Sequence, residues 1–225
     1  MGHGFFVTGT DTGVGKTLVA CALLRVFASL GKSTVGMKPV AAGSEGGRWP
    51  DVDALAGASS VRAPAKLVNP YAFGPAIAPH IAAALAGTTI EVSTIVHACT
   101  ELRQQADVVI VEGVGGFLVP LNESHTAADL ARRLSLPVVL VVGMRLGCLN
   151  HALLTRAQIE AEGLRCIGWV ANAVVSEMPE LGANIRALED RLRSPLLGAV
   201  PFLRDPAPDR VARVLRADLL TEAAA

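Results

Sequence analysis

The chain has 225 residues, 51% of them hydrophobic, and its 20 basic and 20 acidic side chains give a formal net charge of +0. That balance excludes a basic field for nucleic acid and an acidic solvating tail, while the apolar fraction is enough for a sizeable core. The four cysteines (Cys21, Cys99, Cys148, Cys166) show no CxxC spacing, which argues against a zinc site or a stapled secreted domain and for a reducing compartment.

In chain order, GFFVTG (4–9) reads as a buried strand and residues 16–30 as a helix ended by Gly31. STVGMKPV (33–40) is the next strand, stopped by Pro39, and the glycine-rich AAGSEGGRWPD (41–51) is a loop over a site. Helices are expected near 52–58, 79–86 and 91–105. DVVIVEG (107–113) is a nearly continuous apolar strand ending in a carboxylate, followed by a helix over 127–134 and a second such strand, PVVLVVG (137–143). A helix over 150–162, a strand RCIGWVAN (165–172), a helix near 178–193, a short strand LLGAVP (196–201) and a helix from about 207 complete the pattern.

Continuous rather than alternating apolar strands imply burial on both faces, hence a parallel sheet covered by helices. The expectation is one α/β domain over 1–225, a doubly wound, mostly parallel sheet with helices on both faces. The start MGHGFFVTGT lacks the basic region of a signal peptide, Phe6 breaks the myristoylation pattern, and no apolar run reaches the roughly 18 residues of a membrane span. A cytoplasmic protein without membrane or nucleic-acid partners is therefore expected.

GTDTGVGKT (9–17) poses a question of spacing. The phosphate loop is written G-x-x-x-x-G-K-[ST], yet Thr10 stands where the first glycine belongs and Gly9 is one step early. The chemistry requires inward backbone N–H groups, a helix N-terminus, a lysine and a hydroxyl, not a glycine at that offset. Gly13 and Gly15 let the backbone approach phosphate, Lys16 can reach the β- and γ-phosphates, and Thr17 can hold Mg²⁺. Glu112, at a strand end, is placed to bind Mg²⁺ directly or through water. Lys38 would neutralise charge developing during phosphoryl transfer. Asp51 and Asp53 follow the loop; either can complete a metal shell, and Asp53 can equally cap a helix.

GTDTGVGKT, MKPVAAGSE, DALA, VNPYAF, PHIAA, VEGVGG, LPVVLVVG, LGCLNHALLT, GWVAN and LLGAVP occur in this order, essentially end to end, and together the chain resembles the dethiobiotin synthetase family. The stretched loop is the family's form. The resemblance implies a P-loop NTPase-type domain working as a homodimer, which takes 7,8-diaminopelargonate, CO₂ (or bicarbonate) and ATP to dethiobiotin, ADP and phosphate through a carbamate and a carbamic–phosphoric anhydride.

It further implies that Thr12, Gly13, Gly15 and Lys16 embrace the phosphates and that Val14, Gly113, Val114 and Gly115 also bind the nucleotide. Thr17, Asp53 and Glu112 would surround Mg²⁺. Lys38, Lys16 and Thr12 would be catalytic. Asn172 would read the base, with Pro201, Phe202 and Leu203 lining its pocket. Lys38, Ala42, Gly147, Cys148 and Asn150 would serve the substrate, the 146–151 segment from across the dimer interface. Without the resemblance, that segment is an ordinary helix capped by Asn150. Tyr71 and Phe73 would support the site, and His151 is read as structural.

The chain departs from the family at Ala42, where a hydroxyl is usual and for which Ser44, Thr8 or a water would have to compensate. Arg145 stands where the family has lysine, which keeps the charge but changes donor geometry. The RDPAPD tail matches poorly. Two other readings are a related amidoligase and a regulatory ATPase switch; the latter carries an extra lysine early in the loop, where this chain has Thr10 and Asp11.

Overall fold

The computed structural model describes residues 2–224, so Met1 and Ala225, the ends of the domain expected over 1–225, lie outside the described residues. In chain order the elements are β1 (His3–Gly9), α1 (Lys16–Ser29), β2 (Thr34–Met37), β3 (Val40–Ala42), α2 (Pro50–Ala58), α3 (Ala65–Val68), β4 (Tyr71–Phe73), α4 (Pro79–Leu85) and α5 (Val92–Gln105). They continue with β5 (Val108–Glu112), α6 (Ala127–Leu134), β6 (Val138–Met144), α7 (Cys148–Ala161), β7 (Cys166–Ala173), α8 (Leu181–Leu192), β8 (Leu196–Val200), α9 (Pro208–Ala212) and α10 (Ala217–Ala224).

The apolar runs form a six-stranded sheet in the order β2-β5-β1-β6-β7-β8, and its pairings are parallel. Successive side chains of a strand point to opposite faces, and the cores on the two faces follow from this. Phe6 belongs to the core shared with α5, α6, α7 and α8. Phe5 belongs to the core with α1, α2 and the C-terminal helices, where its ring stacks on Phe27 at 5.2 Å. α1 is sunk between sheet and helices: Leu23 and Leu24 are fully buried, each worth about 1.5–3 kcal/mol relative to exposure.

β1 leads to its β2 side of the sheet and β6 leads to β7 on the other, so the strand order reverses between β1 and β6. Ligands of open parallel sheets bind outside the carboxyl ends of strands at such a switch point. The loops after β1 and β6 are the phosphate loop and the 145–148 turn.

The strand expected over 33–40 is divided. Pro39 cannot donate to a ladder, and the chain leaves the main sheet there. β3 instead pairs with β4, from the NPYAF segment, in a separate two-stranded sheet. Neither β4 nor α3 was expected, because each is too short to carry a period. β2 thereby becomes an edge strand. Its outward N–H groups, and that of Lys38 just beyond it, are nevertheless bonded: Thr34 N to Ser60 Oγ at 2.8 Å, Gly36 N to Ser59 Oγ at 2.9 Å and Lys38 N to Val68 O at 2.8 Å. Elsewhere boundaries move by a few residues. α7 begins at Cys148 rather than 150, and the single C-terminal helix expected from 207 is two short ones.

Candidate active site

The turn from β1 to α1 is built for an anion. Gly15 is the N-cap of α1, with φ 91°, no side chain caps it, and no acidic residue occupies the first turn, so the helix's first N–H groups have no side-chain acceptor. A Cβ at Gly15 would meet Asn172 Nδ2 at 2.2 Å. Gly9, the glycine that is one step early, has a different task. A Cβ there would strike Val14 Cγ2 at 2.6 Å and Lys16 Cγ at 3.0 Å, so its bareness lets Val14 and the Lys16 stem fold back over β1. Thr12 and Gly13 are exposed at the loop crest.

A cluster of charges lies at the carboxyl ends of β2 and β5. Lys38 is 3% exposed and Glu112 1%. Lys38 Nζ lies 2.6 Å from Glu112 Oε1 and 2.8 Å from Asp51 Oδ2. The Thr17 hydroxyl lies 2.8 Å from Glu112 Oε1 and 3.0 Å from Asp51 Oδ1. Lys16 Nζ donates to Asp11 O at 2.8 Å. Burial and the neighbouring Lys38 charge lower the Lys16 ammonium to about 8. Burial also opposes the charge of Lys38, but Glu112 and Asp51 together outweigh it and hold Lys38 above the ordinary lysine value. Burial pushes the Glu112 carboxyl up against the pull of Lys38. At the half-exposed Asp51 burial pushes up as well, but Lys38 and Thr17 win and hold the carboxyl down.

The donor set fits Mg²⁺. Glu112 Oε2 is buried without a hydrogen-bond partner, and the nearby Thr17 hydroxyl and Asp51 carboxylate are hard oxygens of the kind this ion takes alongside substrate phosphates. Asp53, expected in this shell, is not brought to it. Two residues along a helix is more than half a turn, and the Asp53 carboxylate is held on the outer side by Arg48 at 2.9 Å. Asp51 stands at Thr17 instead.

The cleft above the cluster has a volume of about 700 Å³. Thr12, Gly13, Gly15, Lys16, Thr17, Lys38, Asp51 and Glu112 form its polar side, and Ala42, Ile77, Val114, Val119 and Pro120 are among its apolar lining. Ser44 and Thr8, the hydroxyls considered as stand-ins at Ala42, are not among its lining residues. Gly113 lies on the floor behind, its carbonyl 3.4 Å from Lys38 Nζ, and Gly115 lines the cleft with φ 58°. Asn172 sits beneath the phosphate loop and donates Nδ2 to Val14 O at 2.8 Å. Pro201, Phe202 and Leu203 follow β8 and do not line this cleft.

In the 146–151 segment, Gly147 (φ 93°) is the N-cap of α7, without a side-chain cap, so Asn150 is an exposed first-turn residue and not the cap. The Cys148 side chain is buried and its N–H is spent on Arg145 O at 3.0 Å. Leu146 is 99% exposed. Tyr71 and Phe73 form β4 outside the cleft lining: the Tyr71 hydroxyl accepts from Glu91 N at 3.0 Å, and Phe73 O accepts from Trp49 Nε1 at 2.9 Å. His151 is exposed on α7.

Two residues gain importance that sequence reading did not give them. Asn69 donates to Lys38 O at 2.6 Å and to Tyr71 O at 2.9 Å, clasping the chain where it leaves the main sheet. Its place just before Pro70 and the strand-like YAF was the available signal. Asp11 accepts from Thr12 N at 2.7 Å and from Arg145 Nη2 at 2.5 Å. An acid within a phosphate loop repels the ligand unless something offsets it, which was the clue.

A family model described as an AAA domain matches residues 3–210. The chain is 57% identical over 202 residues to the ATP-dependent dethiobiotin synthetase BioD of Nitrosospira multiformis, covering 90% of this chain and 89% of that protein. It is 52% identical to the protein of the same name from Aromatoleum aromaticum, covering 94% and 96%. Among solved structures, the cell division ATPase MinD of Pyrococcus furiosus superposes with a TM-score of 0.62 at 18% identity, over 99% of both chains. Chloroplast FtsY of Physcomitrella patens does so with a TM-score of 0.56 at 15% identity, over 99% of this chain and 65% of that one. At such identities these two likenesses speak for the fold alone.

Proposed function

The chain belongs to the ATP-dependent dethiobiotin synthetase family, and from that premise we propose how its cleft works. It is an enzyme that uses ATP to close diaminopelargonate with CO₂ into the ring of dethiobiotin. One substrate amine takes up CO₂ as a carbamate. A carbamate oxygen attacks the γ-phosphate, ADP leaves, and the second amine closes the carbamic–phosphoric anhydride and expels phosphate. Phosphoryl transfer needs positioning and charge stabilisation more than covalent help.

The observation that carries this reading is one cleft with two buried ammonium groups, Lys16 and Lys38, on its polar side and an aliphatic lining opposite. The phosphate-loop N–H groups, Thr12 and Lys16 hold the phosphates. Lys38, braced by Glu112, faces the oxygens between which the phosphoryl group moves. Thr17, Glu112 and a carboxylate of the first turn of α2 hold Mg²⁺, which neutralises phosphate oxygens when bound; Asp51 is the carboxylate within reach. Ala42 and the apolar lining take the substrate's chain. Asn172 has committed its amide nitrogen to Val14, so its oxygen accepts from the base, beside Pro201, Phe202 and Leu203.

The enzyme acts as a homodimer in this reading. Leu118 (54% exposed) and Leu154 (62%) share a shallow depression beside the phosphate loop, and with the bare Leu146 they offer apolar surface to a second copy. The Gly147–Asn150 turn then reaches the partner's substrate carboxylate. The four buried free thiols suit a reducing cytoplasm. Among the described residues no helix is long and apolar enough to cross a membrane.

Incubation with ATP, Mg²⁺, bicarbonate and diaminopelargonate tests the reading, with dethiobiotin and ADP expected in equal amounts. ATP hydrolysis that proceeds equally well without diaminopelargonate would overturn it in favour of a switch ATPase. Light scattering tests the dimer, and a fully active monomer would refute it.

A further inference from the structure

The parallel ladder between β1 and β6 does not stop where the strands end. Gly9 pairs with Val141 in the sheet, and Thr10 N continues to Val141 O at 3.0 Å. Beyond this, side chains take over the register. Thr10 Oγ1 accepts from Gly143 N at 3.4 Å, and Asp11 Oδ2 accepts from Arg145 Nη2 at 2.5 Å. Both ends of this last bond are anchored in functional loops. Asp11 Oδ1 holds Thr12 N, and Asp11 O holds Lys16 Nζ in the phosphate loop. Arg145 O holds Cys148 N at the turn that opens α7. The Arg145 and Asp11 side chains are 43% and 46% exposed, and an ion pair so wet adds little to stability. What it fixes is the relative place of two loops on either side of the switch point.

We propose that Arg145 is a positioning residue that couples nucleotide binding to substrate binding, with Asp11 as its contact on the phosphate loop. The inference rests on the reading that the Gly147–Asn150 turn holds the substrate carboxylate. Phosphate draws Lys16 toward itself and away from Asp11 O, which leaves Asp11 held by Thr12 N and Arg145 alone and so resets it and, through the guanidinium, the turn. Because that turn serves the partner's site, the tie runs from the nucleotide of one protomer to the substrate of the other. Coupling between two ligands is reciprocal, so a substrate in place tightens the phosphate loop by the same factor.

Calorimetry with a non-hydrolysable ATP analogue, with and without saturating diaminopelargonate, reads that factor as a ratio of Kd values. Wild type should show tightening of about five-fold or more, the lower end of ordinary coupling. Arg145→Gln and Asp11→Asn should each bring the ratio close to unity, the double variant should lose nothing more, and Arg145→Lys should restore most of it. A merely structural role would lower the folded fraction without moving the ratio. A folded Arg145→Gln protein with the wild-type ratio overturns the proposal, as does a double variant that loses more than either single change. If Arg145→Gln does not fold, Asp11→Asn decides alone by the same ratio. Dethiobiotin formation by wild type, measured first, separates the two readings: its absence sinks the proposed function, whereas its presence beside an unmoved ratio sinks only the tie.

Discussion

Replacing Lys38 by methionine keeps the length of the side chain and removes its charge. The Glu112 side chain is 1% exposed and the Lys38 side chain 4%, so the variant leaves a carboxylate in a site with almost no water. Breaking a buried pair from one side costs about 3–5 kcal/mol. The contact with the half-exposed Asp51 adds at most about 1 kcal/mol. Lys38→Met should therefore lose about 3–5 kcal/mol of unfolding free energy in urea, measured in chelator at about pH 7.5 with m-values monitored. Adding Glu112→Gln should return part of it, since contacting residues commonly couple by about 0.5–3 kcal/mol.

The sign with pH is fixed. Burial already raises the Glu112 carboxyl. A group raised on folding contributes stability that is present below its unfolded value of 4.5 and lost as pH rises. Without Lys38 the rise is larger, so the deficit of Lys38→Met should shrink as pH falls toward about 5. Dethiobiotin formation should fall by at least about 10²-fold even where the variant is folded, the scale for removing one preorganised donor at a reacting oxygen. A deficit below about 1 kcal/mol at neutral pH, or one that Glu112→Gln leaves untouched, would refute the buried pair.

Asp51→Asn should raise the Mg²⁺ concentration for half-maximal activity by at least about ten-fold, and Asp53→Asn should barely move it; the reverse order would put Asp53 in the metal shell and require α2 to turn. Ala42→Ser should tighten diaminopelargonate by about 0.5–1.5 kcal/mol, one net hydrogen bond, without changing ATP affinity; equal or weaker binding by calorimetry would mean that the pocket does not miss the hydroxyl. Burial raises Cys21 to about 12 and Cys99 to about 11, so neither should react with a thiol reagent at about pH 8 until the protein unfolds. Rapid labelling of Cys21 in the native enzyme would contradict its burial. By the same linkage, these two thiols should withdraw stability as pH climbs above their unfolded 9.0.

The parallel sheet and its helices were legible because β1, β5, β6 and β7 are apolar on both faces, a pattern that local composition displays directly. The phosphate loop was legible because strand, glycines, lysine and hydroxyl are contiguous. The departure of the chain at Pro39 was half legible: the proline announced a stop, but the partner of β3 lies some thirty residues on and is only Tyr71–Phe73. That Asp51 meets Thr17 while Asp53 meets Arg48 was illegible, because it turns on the phase of a helix whose start sequence reading placed at 52 and the structure places at Pro50. Asp11 and Arg145 are 134 residues apart, and only the adjacency of β1 and β6 makes them neighbours.

Ser59 and Ser60 do not line the cleft, yet they bear on how concentrated a solution of this enzyme can become. An outermost strand is a template on which another chain can add by main-chain pairing, the first step of fibrous aggregation. On β2 that template is already filled by two hydroxyls and the carbonyl of Val68, which stand where a foreign strand would lie. The excursion through 59–68 thus serves as a built-in mimic of the neighbour that must never arrive. Substituting both serines with alanine would reopen the docking line while leaving the catalytic cleft intact, so loss of solubility would precede loss of turnover.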